Sequence, residues 1–148
     1  MKYLISACLI GDNCKYDGGN NLNDIAKKLY DSKLALPVCP EELGGLPTPR
    51  IPAEIVEGAV VSEKGNDVTL EYNLGARIAL KKALENNIKI AILQSRSPSC
   101  GSKSIYDGTF NGKLIPGEGV TTKLLRENGI KVITIEDYIR DYYEKDFK

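Results

Sequence analysis

Four cysteines, a run of acidic and arginine residues beside one of them, and a serine-rich loop beside another are the groups that could do chemistry in this chain. Histidine is absent. That removes Ser-His-Asp and Cys-His nucleophile pairs, the H-E-x-x-H zinc site and any imidazole proton shuttle. Proton transfer must run on carboxylates, hydroxyls, thiols or amines. Cys8, Cys14, Cys39 and Cys100 are too sparse for a disulfide-stapled scaffold. In a reducing compartment such thiols suggest metal binding or reactive sulfur first. No C-x-x-C pair occurs, so the paired-ligand signature of structural zinc is missing, although zinc with scattered ligands stays open. An iron–sulfur cluster also takes thiolates from distant loops, and three ligands would leave one iron open for catalysis. The plain alternative is that each cysteine packs as a small hydrophobe.

Two segments add polar groups to these thiols. Val38-Cys39-Pro40-Glu41-Glu42 places carboxylates within three residues of a candidate ligand, and the loop continues through Pro49 to Arg50. Glu41 could take or give a proton beside a metal; Glu42 reads as a solvated carboxylate. Arg50 could clamp an anionic substrate or pair across its own loop. In Ser95-Arg96-Ser97-Pro98-Ser99-Cys100-Gly101, the hydroxyls of Ser97 and Ser99 could orient a substrate or simply bond the local backbone. Tyr16-Asp17-Gly18 and Tyr106-Asp107-Gly108 are two Asp-Gly turns with a neighbouring tyrosine. Gly117-Glu118-Gly119 lacks the lysine of a phosphate loop.

The elements that must position these groups alternate in type. Short apolar runs at Tyr3–Cys8, Leu34–Val38, Ile88–Leu93 and Ile130–Ile135 suit strands buried on both faces. Helical spacing appears in Leu22, Ile25, Ala26, Leu29 and Tyr30, from about Leu70 to Asn86, in Val120–Asn128 and in Glu136–Tyr143. Ile55–Val61 is expected to pair with Val68–Leu70 across Lys64-Gly65-Asn66, and Pro40–Pro52 to lack regular structure. Strands alternating with helices predict an α/β three-layer sandwich around a mostly parallel central sheet. Cys8, Cys39 and Cys100 each fall at or just after the C-terminal end of a predicted strand. Those ends share one edge of an open sheet, where ligands bind, so three thiols distant in sequence can meet.

With 148 residues, 42% of them hydrophobic, the chain is expected to form one domain over residues 1–148 with a sizeable core. Twenty basic residues balance twenty acidic ones, so no net field favours nucleic acid or an anionic membrane. Ile5-Ser6-Ala7-Cys8 imitates a lipoprotein cleavage site, but the preceding segment is too short for a signal, and no apolar run reaches a membrane span. A cytoplasmic protein is expected.

Ser6-Ala7-Cys8-Leu9-Ile10-Gly11, Tyr16-Asp17-Gly18, Cys39-Pro40-Glu41, Gly45-Leu46-Pro47-Thr48-Pro49-Arg50, Ser97-Pro98-Ser99-Cys100-Gly101, Tyr106-Asp107-Gly108-Thr109-Phe110 and Gly119-Val120-Thr121 follow one another in this order. Together they resemble the family called domain of unknown function 523, whose studied members are thiouracil desulfidases. The resemblance spans nearly the whole chain. It implies a Rossmann-like domain holding a 4Fe–4S cluster through Cys8, Cys39 and Cys100, with one iron open and Cys14 outside the ligand set. It also implies Glu41, Ser97 and Ser99 as catalytic, with the two serines against a small thiolated pyrimidine or its nucleotide. The expected reaction is non-redox conversion of C=S to C=O with release of hydrosulfide. A zinc- or cluster-binding carrier of sulfide for another enzyme, such as a tRNA thiolase, is the alternative reading.

Overall fold

The computed structural model describes residues 1–148. In chain order the elements are β1 (Tyr3–Ser6), a 3₁₀ turn (Ala7–Ile10), α1 (Asp24–Asp31), β2 (Ala35–Val38), α2 (Pro40–Leu43), β3 (Ala53–Val56) and β4 (Ala59–Ser62). They continue with α3 (Thr69–Glu85), β5 (Ile90–Ile92), β6 (Ser104–Tyr106), β7 (Leu114–Pro116), α4 (Val120–Glu127), β8 (Lys131–Ile133), α5 (Ile135–Asp141) and α6 (Tyr143–Phe147).

Four strands form a fully parallel sheet in the order β2-β1-β5-β8. Alternation along β1 divides the core into two layers, as a pleated strand requires. Tyr3 and Ile5 face a cluster with Leu29 of α1 and Tyr138 of α5. Leu4 faces the opposite cluster, which holds Ala79 and Ala83 of α3 and Leu125 of α4. Helices therefore cover both faces, giving the expected three-layer α/β architecture. Small residues on α3 let a long helix lie close against the sheet. The order reverses at β1, so the crevice beyond the C-terminal ends of β1 and β5 is the topological switch point, where such sheets bind ligands.

Two expectations are corrected. The ordered hairpin pairs β3 with β4, and the segment expected to be its second strand adds only an antiparallel bridge of Val61 to Asp67 and a bond from Val68 N–H to the Val60 carbonyl at 2.8 Å. Its turn is Glu57-Gly58, both at positive φ, which matches the twist of the flanking strands and fixes the register locally. Lys64-Gly65-Asn66 makes the expected reversal, with Ser62 N–H donating to the Asn66 carbonyl at 2.8 Å, just before α3 begins. The proline-rich loop is not wholly irregular, because Pro40–Leu43 is a helical turn. Proline at N1 and two acidic residues in the first turn both favour that start.

Helix α2 packs backbone against backbone on α3. A Cβ on Gly75 would lie 1.8 Å from the Pro40 carbonyl oxygen, and one on Gly44 1.9 Å from that of Glu71. Only glycines permit this approach, and it sets Glu41 on α2 beside Tyr72 on α3.

Candidate active site

All four cysteines line one cavity of about 650 Å³ at the C-terminal edge of the sheet. Cys8 lies in the 3₁₀ turn that directly follows β1, Cys39 directly follows β2 as the N-cap residue of α2, and Cys100 closes the loop after β5. Their three strands are neighbours, so the convergence expected from strand ends is present. None is in a disulfide.

Cys14 joins them. Cys8, Cys14 and Cys39 pack together, whereas Cys100 belongs to the core layer beneath α3 and α4. One donor atom each from Cys14, Cys39 and Glu42 lie within 4.8 Å of one another. Cys14 arrives here because the Gly11–Asn21 loop folds back over the end of β1. The fold-back is held by Asn21 N–H donating to the Cys8 carbonyl at 2.9 Å and Asn23 N–H donating to that of Leu9.

The four thiols are electrostatically distinct. A hydrogen bond from Cys14 lowers the Cys8 thiol to about 7 against the opposing effect of burial, helped by Asn21. Asn21 Nδ2 lies 3.5 Å from the Cys8 sulfur. Cys39 is also lowered, first by Cys14 and then by the Glu42 backbone N–H. Cys14, as the donor to both, is raised. Burial pushes Cys100 up to about 12.

Glu41 faces the same cavity with its carboxylate held on both oxygens. The Tyr72 hydroxyl donates to Oε1 at 2.9 Å, and Arg50 Nε donates to Oε2 at 2.8 Å. Arg50 is itself buried, its side chain 7% exposed. Its NH2 group reaches Glu41 Oε2 and the Cys14 carbonyl, and its NH1 group reaches the Pro47 carbonyl and Thr48 Oγ1. A guanidinium has five N–H donors, and these contacts use all of them. The expected clamp on an anionic substrate therefore has no free donor; Arg50 instead ties Glu41 to the cysteine loop.

The serine loop separates its two hydroxyls. Ser97 Oγ accepts from Ser99 N–H at 3.1 Å and from Cys100 N–H at 2.7 Å. With both acceptor sites taken, its own proton is left for a partner in the cavity. Ser99 is 1% exposed, and its hydroxyl bonds that of Thr121 at 2.7 Å. Backbone donors of Thr121 and Thr122 bind the Ser99 carbonyl, and Thr122 Oγ1 donates to that of Cys100. The start of α4 thus fixes the loop that carries Cys100.

Tyr72 and Glu54 were missed in the sequence, since neither lies in a short motif. Glu54 is 9% exposed, and its Oε1 accepts from Gly108 N–H at 2.9 Å and Phe110 N–H at 3.2 Å. This explains the second Asp-Gly turn: a Cβ on Gly108 would come within 2.8 Å of the Ile55 carbonyl. The first has a matching task, because Arg50 N–H donates to the Tyr16 carbonyl at 2.7 Å.

No helix is long and apolar enough to cross a membrane. The family model described as 2-thiouracil desulfurase matches residues 3–137. The uncharacterized protein YbbK of Bacillus subtilis (strain 168) is 45% identical over 141 residues, covering 88% of this chain and 93% of that protein. The solved structure of the [4Fe-4S]-dependent thiouracil desulfidase TudS (DUF523Vcz) superposes with a TM-score of 0.89 at 46% identity, covering 95% of this chain and 93% of that one. The chain belongs to the 2-thiouracil desulfurase family.

Proposed function

We propose that this protein is an enzyme that replaces the thiocarbonyl sulfur of a thiouracil with oxygen, in the balance C=S + H₂O → C=O + H₂S. The observation that carries the reading is one cavity shared by four reduced thiols and a carboxylate held on both oxygens. Family membership and the similarity to TudS support it.

The donor set fits an iron–sulfur cluster, since soft thiolates from separate loops surround one cavity and no histidine competes for the metal. Cys8, Cys39 and Cys100 are the proposed ligands, because they follow three adjacent strands. Cys14 stands beside them, packed against Cys8 and Cys39. A cluster with one iron free of protein ligands supplies Lewis acidity toward the thiocarbonyl sulfur.

Glu41 takes a proton from the attacking water and returns one to the departing sulfur. Its oxygens are oriented by Tyr72 and Arg50, so it meets the substrate in one geometry. Ser97 donates its remaining proton to charge that develops on the substrate. Ser99 and Arg50 act by holding, the first on the Cys100 loop and the second on Glu41. Lys15 and Arg96 line the cavity outside any of the ion pairs, which suits the phosphate of a thiouridine nucleotide.

The test is anaerobic reconstitution with iron and sulfide, followed by 2-thiouracil, 4-thiouracil and a 4-thiouridine nucleotide in parallel. Stoichiometric sulfide and the oxygenated pyrimidine are expected from at least one. No sulfide from any substrate by cluster-loaded protein would overturn the reading. Cys8→Ser, Cys39→Ser and Cys100→Ser should each lose iron and turnover, whereas Cys14→Ser should retain iron.

A further inference from the structure

We propose that Tyr72 is a positioning residue for the desulfuration reaction, its hydroxyl fixing the plane of the Glu41 carboxylate against the cavity. The inference rests on the reading of Glu41 as the proton-transfer group.

Tyr72 is 3% exposed, with its ring packed among Ala53 and Val60 and against Leu46. Its hydroxyl emerges from that apolar cluster at the cavity wall and donates to Glu41 Oε1 at 2.9 Å. A buried phenol without a partner would be costly, so this bond is built into the packing rather than added to it. The glycine pair makes it possible, since Gly75 lies one turn beyond Tyr72 and admits the Pro40 carbonyl. Arg50 claims the other oxygen from a different segment. Two donors approaching from separate elements stop the carboxylate rotating about its terminal bond, which one donor alone would not do. Misplacing a reacting group by about 1 Å can cost about 10²-fold in rate.

Tyr72→Phe removes the hydroxyl and keeps the ring in its pocket. Wild type, Tyr72→Phe, Glu41→Gln and the double variant should be assayed as reconstituted holoenzymes, with iron, acid-labile sulfide and melting temperature measured on each. Expected for Tyr72→Phe are wild-type iron and sulfide, a kcat lower by about 10- to 100-fold, and a KM within about two-fold. In the Glu41→Gln background the second substitution should cost nothing further, because there is no longer a base to orient. A raised KM with unchanged kcat would assign Tyr72 to substrate binding and overturn the proposal. So would loss of iron or sulfide, or a cost that adds to that of Glu41→Gln. Full turnover by Tyr72→Phe beside an inactive Glu41→Gln would overturn it while leaving the Glu41 reading intact. Full turnover by Glu41→Gln would remove that reading, and the Tyr72 proposal with it.

Discussion

Two carboxylates in this molecule are held in nearly the same way and face different surroundings. Glu41 accepts from Tyr72 and Arg50 at the C-terminal edge of the central sheet. Asp146 accepts from the Tyr3 hydroxyl at 2.6 Å, the Tyr138 hydroxyl at 2.9 Å and Lys2 Nζ at 2.7 Å, beside the start of β1. Each is a carboxylate bound by phenol and cation. The cation of Glu41 is buried, and beyond its carboxylate lies a cavity lined with thiols. Lys2 is 54% exposed, and beyond Asp146 lie stacked tyrosines, with the Tyr3 and Tyr138 rings edge-to-face at 5.3 Å. The first node turns its carboxylate to the cavity; the second fastens α6 to β1 and α5. Residue type sets how a carboxylate can be held, and what faces it decides its use.

Substitutions can break this comparison. The largest effect is expected from Glu41→Gln, which keeps the shape and removes the proposed base: kcat should fall by about 10²- to 10⁴-fold with iron content unchanged. Sulfide release by the reconstituted variant measures it. Next is Gly75→Ala. Its Cβ cannot coexist with the Pro40 carbonyl, so α2 must move off α3. Stability should fall by about 1–3 kcal/mol in denaturant melts, with a lower kcat as Glu41 is displaced.

Asp146→Asn probes the other node. Losing a charged acceptor for three donors should cost about 1–3 kcal/mol while leaving turnover at the wild-type level. A matching loss of kcat would mean that the two ends of the sheet are coupled. The smallest effect is in acid. Burial opposes ionisation of Asp146, but the bonds from Lys2, Tyr3 and Tyr138 prevail and hold it below the usual carboxylate range. Its contribution is therefore present above the unfolded value of about 3.9, and is lost as pH falls through the lower folded value. Melting temperature followed from pH 6 downward should show a shallower acid limb in Asp146→Asn than in wild type.

Much of the architecture was legible because strand and helix periodicities are local. The four central strands, the two helical faces and the placement of Cys8, Cys39 and Cys100 at strand ends follow from apolar spacing alone. The reversal at Lys64-Gly65-Asn66 was legible, but a second one at Glu57-Gly58 was hidden inside the apolar run read as a single strand. Only pairing across β3 and β4 selects Glu57-Gly58. Tyr72 left one faint trace: it lies on the face of the long helix that carries Gly75, and an interior helical glycine often marks a close packing partner.

What the sequence determined by itself was a repertoire: thiols without histidine, two carboxylates beside a cysteine, and strands whose ends share an edge. Tertiary structure decided the assignments within it. It brought Cys14 between Cys8 and Cys39, spent every donor of Arg50 on neighbours within the protein, turned Ser99 to Thr121 and Ser97 to the cavity, and set Tyr72 on Glu41. The physical reason is range. Periodicity reports which face of an element is buried, whereas a hydrogen-bond partner from another element is settled only when close packing brings the two backbones together.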